Sequence, residues 1–242
     1  MRLILVILFL VLFFTISIPL FLVEYLIGKF NRRAMVASSQ RIVAGAFRIV
    51  LFLSGTKVTV IGKENIPKEE AVLYIANHRS YFDIIVSYAT LPTLTGFIAK
   101  KEIHRIPFLR IWMDFLQCLF LDREDIRQGM KVILKAIEQV KDGYSIFISP
   151  EGTRSQGKEM LPFKAGSFKV AEKTGCAIIP VSISNTEAAF ENQQPWIRKA
   201  HTIIEYSKPI YPKDLKKEQL KSLNTYVQGI IQETLEKNAS LI

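Results

Sequence analysis

The chain has 242 residues, 49% of them apolar, and 32 Lys and Arg against 22 Asp and Glu give a formal net charge of +10. Its two cysteines, Cys118 and Cys176, lie in apolar surroundings without CxxC or Cys/His spacing, which excludes a disulfide framework and reads as two buried thiols in a reducing compartment. The basic balance fits either nucleic acid or an anionic lipid surface, and the first 54 residues decide for lipid.

From Leu3 to Val23 there are 21 residues without a charge, which as a helix extend about 31 Å, the thickness of a bilayer's hydrocarbon core. The competing reading, a cleaved signal peptide, is disfavoured because the run is too long and no small-x-small cleavage site follows before Glu24. A second apolar stretch, Ile42 to Leu53, is short and carries Arg48, so it is expected to lie along the interface. Between them, Lys29-Phe30-Asn31-Arg32-Arg33 forms a basic joint, and the pattern predicts a membrane-anchoring helical hairpin over residues 1–54. The alternative is a buried pair of core helices. Lys29, Arg32, Arg33, Arg41 and Arg48 outweigh Arg2 and the amino terminus, which predicts a location at the cell (inner) membrane with the remaining domain, residues 55–242, on the cytoplasmic side.

After Gly55 short β-rich runs alternate with longer amphipathic stretches, the pattern of an α/β fold with a mixed central sheet flanked by helices. Strands are expected at Lys57 to Ile61, Val72 to Ala76, Gly96 to Ala99, Leu119 to Leu121, Ser145 to Ser149, Ala177 to Ser184 and Thr202 to Tyr206. The clearest helix is Asp125 to Val140, where Ile126, Met130, Ile133, Leu134 and Ile137 make an apolar face and Lys131, Lys135 and Glu138 a polar one. Phe108, Trp112, Phe115 and Leu116 read as core or lipid-facing packing, and Asp214 to Asn238 as a surface helix covering the sheet.

The segment Asn77-His78-Arg79-Ser80-Tyr81-Phe82-Asp83 follows the apolar run ending at Ala76 and sets an imidazole and a carboxylate where a strand hands over to a helix. A histidine whose Nδ1–H is held by a carboxylate keeps its other nitrogen free to take a proton from an alcohol. On one continuous helix the two side chains would stand roughly 140° apart. His78 therefore belongs in a loop and Asp83 in the following first turn, near the positive end of the helix.

NHRSYFD resembles the His-x4-Asp signature of the glycerolipid acyltransferases, and three further blocks follow in that family's order: Phe120-Leu121-Asp122-Arg123, Pro150-Glu151-Gly152-Thr153-Arg154-Ser155 and Ile178-Ile179-Pro180-Val181. Two departures stand out. The family commonly opens the second block with a glycine before the aromatic, where this chain has Gln117-Cys118-Leu119, and precedes the third with Phe, where it has Ser149.

The resemblance implies transfer of an acyl group from coenzyme A or acyl carrier protein thioester to the hydroxyl of 1-acylglycerol-3-phosphate (lysophosphatidic acid). His78 is then the general base, oriented by Asp83, with no cofactor, no metal and no nucleic-acid partner. It assigns the second and third blocks to the glycerol phosphate, with Arg123 and Arg154 as phosphate forks. Glu151 would meet a glycerol hydroxyl, Thr153 lies in the same block, and Gly152 would admit the ligand close to the backbone. Lys100 and Lys164 would add positive field, although each also reads as a solvated surface lysine, as does Arg79. Backbone N–H groups at the helix start after His78 are candidate oxyanion donors. No Gly-x-Ser-x-Gly elbow is present, since Gly166-Ser167-Phe168 lacks the second glycine, and His104 and His201 lack companions at metal-ligand spacing. Other lysophospholipids, glycerol-3-phosphate, thioester hydrolysis and non-catalytic binding of anionic lipid remain as alternatives.

Overall fold

The computed structural model describes residues 1–157 and 159–242. Two long helices, α1 (Arg2–Phe30) and α2 (Arg32–Ser54), precede a sheet of seven strands: β1 (Lys57–Ile61), β2 (Leu73–Ala76), β3 (Thr95–Lys100), β4 (Leu119–Leu121), β5 (Ser145–Ile148), β6 (Ile178–Ser184) and β7 (His201–Tyr206). The strand order is β1-β7-β6-β2-β5-β3-β4. Strands β6, β2, β5, β3 and β4 are mutually parallel, whereas β7 is antiparallel to β6 and β1 runs with β7. The expected α/β class and all seven expected strands are present.

Helices α3 (Tyr81–Thr90), α4 (Pro107–Phe115), α5 (Ile126–Lys141), α6 (Lys169–Thr174), α7 (Lys217–Lys221) and α8 (Leu223–Ala239) complete the fold. Alternation along the strands separates two cores. One holds Tyr74, Phe97 and Phe147 with residues of α2, α3 and α4; the other holds Leu73, Ile75 and Ile146 with Ala136, Phe168 and Ile231 from α5, the turn before α6, and α8. In the first, Tyr88, Phe97 and Phe147 stack in series at 4.1 and 4.4 Å, and each such pair adds about 1 kcal/mol to simple burial.

The helix α5 is present, and Ile133 and Ile137 of its expected apolar face pack against the core, but the rest of that face does not. Ile126, Met130 and Leu134 are 82, 64 and 58% exposed, while Val132, Ala136 and Val140 are buried. Val132, Ala136 and Val140 join Ile133 and Ile137 on the inner face, where α5 packs against α6 as well as the sheet. Toward the carboxyl end, Leu223, Val227 and Ile231 of α8 are buried, and the expected covering helix breaks at Ser222 into α7 and α8.

The hairpin turns at Asn31, whose side chain caps α2 by accepting from Ala34 N at 3.0 Å. Both helices are long and apolar enough to cross a membrane by length and composition. The second arm, however, is a full 23-residue helix rather than a dozen surface residues, and Val36, Ser39, Val43 and Val50 are buried. Several of its polar residues bond the rest of the fold. Ser38 and Ser39 donate to the buried carboxylate of Glu24 at 2.6 and 2.8 Å, Gln40 bonds Thr93 O and Thr95 N, and Arg48 donates to Ala89 O. Helix α1 is held at one end by Arg2 on Ser54 O and midway by Trp112 Nε1 on Ser17 Oγ at 2.9 Å. Phe13 and Phe21 pack on the Trp112 ring at 5.8 and 5.3 Å. Its outward face, including Leu8, Val11, Leu12, Ile18 and Leu22, is exposed.

Candidate active site

Because β2, β5, β3 and β4 are parallel neighbours, the segments leaving them emerge on one edge of the sheet, where open α/β sheets bind ligands. The strand β2 ends at Ala76 and leads into His78, β5 into Ser149–Arg154, β4 into Asp122 and Arg123, and β3 ends on Lys100. Strand β6, the other neighbour of β2, leads at the same edge to Asn185 and Thr186.

The loop carrying His78 is braced before any ligand arrives. Asn77, fully buried, bonds both Ile183 O and Ile183 N through its side chain at 2.9 and 2.8 Å. His78 O accepts from Ser155 N at 2.8 Å, and His78 N donates to Glu151 Oε1 at 2.7 Å. Ser80 caps α3 by accepting from Phe82 N at 2.9 Å, while Asp83 reaches back to Ser80 N at 2.8 Å, completing a capping box.

Asp83 is 2% exposed. Its Oδ2 accepts from His78 Nδ1 at 2.8 Å, Arg79 N at 2.7 Å and Ser80 N, and its Oδ1 from the Thr186 hydroxyl. A buried carboxylate with this many donors is held in one orientation. It fixes the proton of His78 on Nδ1, which leaves Nε2 as an acceptor on a side chain that is 17% exposed.

The amides at the start of α3 are all occupied. Arg79 N and Ser80 N go to Asp83, Tyr81 N to Glu191 at 2.8 Å, and Phe82 N to Ser80 Oγ. None is left for an oxyanion, because the same turn must hold both Asp83 and Glu191. Glu151 also differs from its expected place. It is 4% exposed and divides its oxygens between His78 N and Leu161 N at 2.7 and 2.8 Å, so it ties the third block to the His78 loop rather than facing a ligand. Burial pushes its carboxyl above the usual range, against the opposing effect of those two amides.

A cavity of about 160 Å³ opens beside β4 and β5, lined among others by Asp122, Arg123, Ser149, Gly152 and Lys164. It brings the second and third blocks together. Gly152 has φ 77°, a left-handed backbone that favours glycine, and a Cβ there would displace the Lys164 amine, 2.8 Å away. Asp122 is bonded locally, accepting from Glu124 N at 3.1 Å and pairing with Lys101. Gln128 on α5 holds this block by bonding Asp122 N and Phe120 O, both at 2.8 Å. Lys100 is exposed and pairs with Glu102 at 3.3 Å, and Thr153 is exposed.

Arg154 does not line this cavity. Its guanidinium lies 3.8 Å over the ring of Tyr81 and contacts Tyr81 Oη and Glu191 Oε1, both at 3.2 Å. Arg79 is also engaged, pairing with Glu187 at 3.4 Å and donating to Gly157 O at 2.7 Å. In the segment before β4, Gln117 stands at φ 59°, in the left-handed region that favours glycine. Its side chain accepts from Arg32, and its carbonyl from Gln139 at 3.0 Å. Thr186 and Glu191 are the site residues that the motifs do not mark.

The sequence pattern of the family described as Acyltransferase matches residues 57–184, from β1 through β6. This chain belongs to the acyltransferase family. Among curated relatives of this acyltransferase is the 1-acyl-sn-glycerol-3-phosphate acyltransferase of Haemophilus influenzae, 30% identical over 204 residues that cover 82% of each chain. The protein of that name from Borreliella burgdorferi is 39% identical over 143 residues, 59% of this chain and 57% of that one. The matched stretch likewise spans 64% of the Saccharomyces cerevisiae protein, so this chain covers between half and two thirds of the length of these two relatives. The crystal structure of the 1-acyl-sn-glycerophosphate (LPA) acyltransferase PlsC from Thermotoga maritima superposes with a TM-score of 0.73 at 26% identity, covering 98% of both chains. It thus extends over the hairpin as well as the sheet.

Proposed function

We propose that this acyltransferase moves a fatty acyl group from a thioester, of coenzyme A or of acyl carrier protein, to the sn-2 hydroxyl of 1-acylglycerol-3-phosphate, giving phosphatidic acid for phospholipid synthesis. The observation that carries the reading is the 2.8 Å bond from His78 Nδ1 to the buried Asp83, at the strand edge where the other blocks converge. Family membership and relatives named for this reaction support it.

The acceptor's O–H gives its proton to His78 Nε2 as its oxygen attacks the thioester carbonyl. The tetrahedral intermediate then collapses with loss of the C–S bond, and the departing sulfur takes the proton back from His78. Asp83 stabilises the imidazolium in between. Direct attack needs no acyl-enzyme. Arg123 and Lys164, on one cavity, and Arg154 beside α3 supply cations for the phosphate.

Substrates of this kind reside in lipid, and the apolar outer face of α1 suits the same medium. Because α1 is bonded along its length to the globular part, the reading places it in the near leaflet of the cell membrane rather than across it, with the site on the cytoplasmic side. Residues 1–54 would then act as the anchor and residues 55–242 as the catalytic unit.

The test is transfer of labelled palmitate from its coenzyme A thioester to 1-acylglycerol-3-phosphate in detergent. Wild type should form phosphatidate only when the acceptor is present, and His78→Ala should lower kcat by about 10³-fold or more with its melting temperature retained. Acyl release without acceptor would replace this reading by a thioester hydrolase, and turnover surviving in His78→Ala would remove the base from the mechanism.

A further inference from the structure

Glu191 lies on a single 3-10 turn, Glu191–Gln193, in the excursion between β6 and β7, and no step of the proposed reaction uses it. Its carboxylate nevertheless gathers three groups from two separate blocks. Oε2 accepts from Ser80 Oγ at 2.6 Å, and Oε1 accepts from Tyr81 N at 2.8 Å and meets Arg154 Nη1 at 3.2 Å. The side chain is 16% exposed. A partly exposed ion pair contributes little to stability, so the consequence of this arrangement lies in geometry.

Arg154 is held from two further directions by Tyr81, whose ring lies beneath the guanidinium and whose hydroxyl meets Nη2. A guanidinium has five N–H donors. Glu191 and Tyr81 take one each and leave the others. An arginine in this state does not have to be ordered when an anion arrives, which spares part of the entropic cost of binding. The same carboxylate also caps the turn that carries Asp83, so the arginine and the His78 loop share one rigid attachment.

We propose that Glu191 is a positioning residue for the acceptor's phosphate, fixing the plane of Arg154 with Tyr81 as its second support. This rests on the proposed function. It goes beyond it in giving a residue outside every motif block control over acceptor affinity. Loss of positioning weakens acceptor binding in ground and transition states alike, so KM for the acceptor rises while kcat is kept.

The experiment compares wild type, Glu191→Ala, Glu191→Gln, Tyr81→Phe, Arg154→Ala and the double variant Glu191→Ala/Arg154→Ala, as full chains in detergent. Acceptor and donor KM are measured separately, alongside equilibrium binding of 1-acylglycerol-3-phosphate without donor. Glu191→Ala should raise acceptor KM and Kd about tenfold and leave donor KM within about twofold, while any fall in kcat comes from the turn that Glu191 also caps. Glu191→Gln keeps Oε1 as an acceptor and should restore most of the affinity. In the Arg154→Ala background, Glu191→Ala should have no further effect on acceptor KM or Kd, because both act on acceptor affinity through one guanidinium.

An unchanged acceptor affinity in Glu191→Ala, an additive loss in the double variant, or a Glu191→Gln enzyme that binds the acceptor more tightly than wild type would overturn the proposal. If Glu191→Ala does not fold, Glu191→Gln and Tyr81→Phe carry the test, with Tyr81→Phe expected to raise acceptor KM and Kd alone. A wild-type chain that binds the acceptor but transfers nothing defeats the proposed function and leaves this inference to be judged on the binding data.

Discussion

Thr186, two residues past the end of β6, places its hydroxyl on Asp83 Oδ1 from 103 positions away in the chain. The other carboxylate oxygen faces His78, so Thr186 sets the angle at which Asp83 meets the imidazole. Thr186→Val keeps the shape but leaves a buried carboxylate oxygen unbonded, at a cost of about 1–3 kcal/mol. We expect kcat to fall about 10- to 100-fold with acceptor KM nearly unchanged, and Thr186→Ser to recover most of it. Steady-state kinetics of the two variants checks this, and equal loss in both would deny the hydroxyl its role.

Glu151 makes stability depend on pH with an unusual sign. Burial raises its folded pKa, so the folded chain holds this proton at pH values where the unfolded chain has released it. Between the unfolded carboxyl range and the raised folded value, stability therefore falls as pH rises. Above that value the dependence levels off. Glu151→Gln should remove this contribution, so its chemical-denaturation stability should decline less than that of wild type between about pH 4 and pH 7. Parallel curves for the two proteins would contradict the assignment.

The two thiols should be silent in the folded protein. Both are free and buried; burial pushes Cys118 up to about 11, and Cys176 is raised by the same cause. Thiolate is the reactive form, so maleimide at mildly alkaline pH should label neither until denaturant is added. Rapid labelling of the native protein would show that the core beside Tyr88 opens.

Removing residues 1–54 should cost more than membrane attachment. Helix α2 buries Val36, Val43 and Val50, packs on α3, and supplies Gln40 and Arg48 to backbone groups near the start of β3 and the end of α3. Truncation uncovers that apolar face, and we expect aggregation or a molten product even in detergent. A monomeric, cooperatively melting truncation with full activity on long-chain acceptors would refute this.

Much of the frame was legible in the chain. All seven strands were readable because short β-branched and aromatic runs are bounded by turn residues, and the His78–Asp83 pair because its five-residue offset excludes a common helix face. What escaped was decided by tertiary partners. The inner face of α5 took in Val132 and Ala136 beside the expected Ile133 and Ile137, and left Ile126 and Met130 outside. Thr186 and Glu191 meet the His78 loop across 103 and 111 residues of chain, a distance at which no local pattern points to a partner. The oxyanion assignment failed because a sequence shows that helix-start amides exist, not that side chains have taken them.

The attachment of α1 along the flank of the fold bears on the kinetics. If the chain sits in one leaflet, as proposed, it meets its acceptor in two dimensions, so its velocity should follow the mole fraction of lysophosphatidate in the surface rather than its amount per volume. Dilution with inert detergent or phospholipid would then slow the enzyme at constant total substrate.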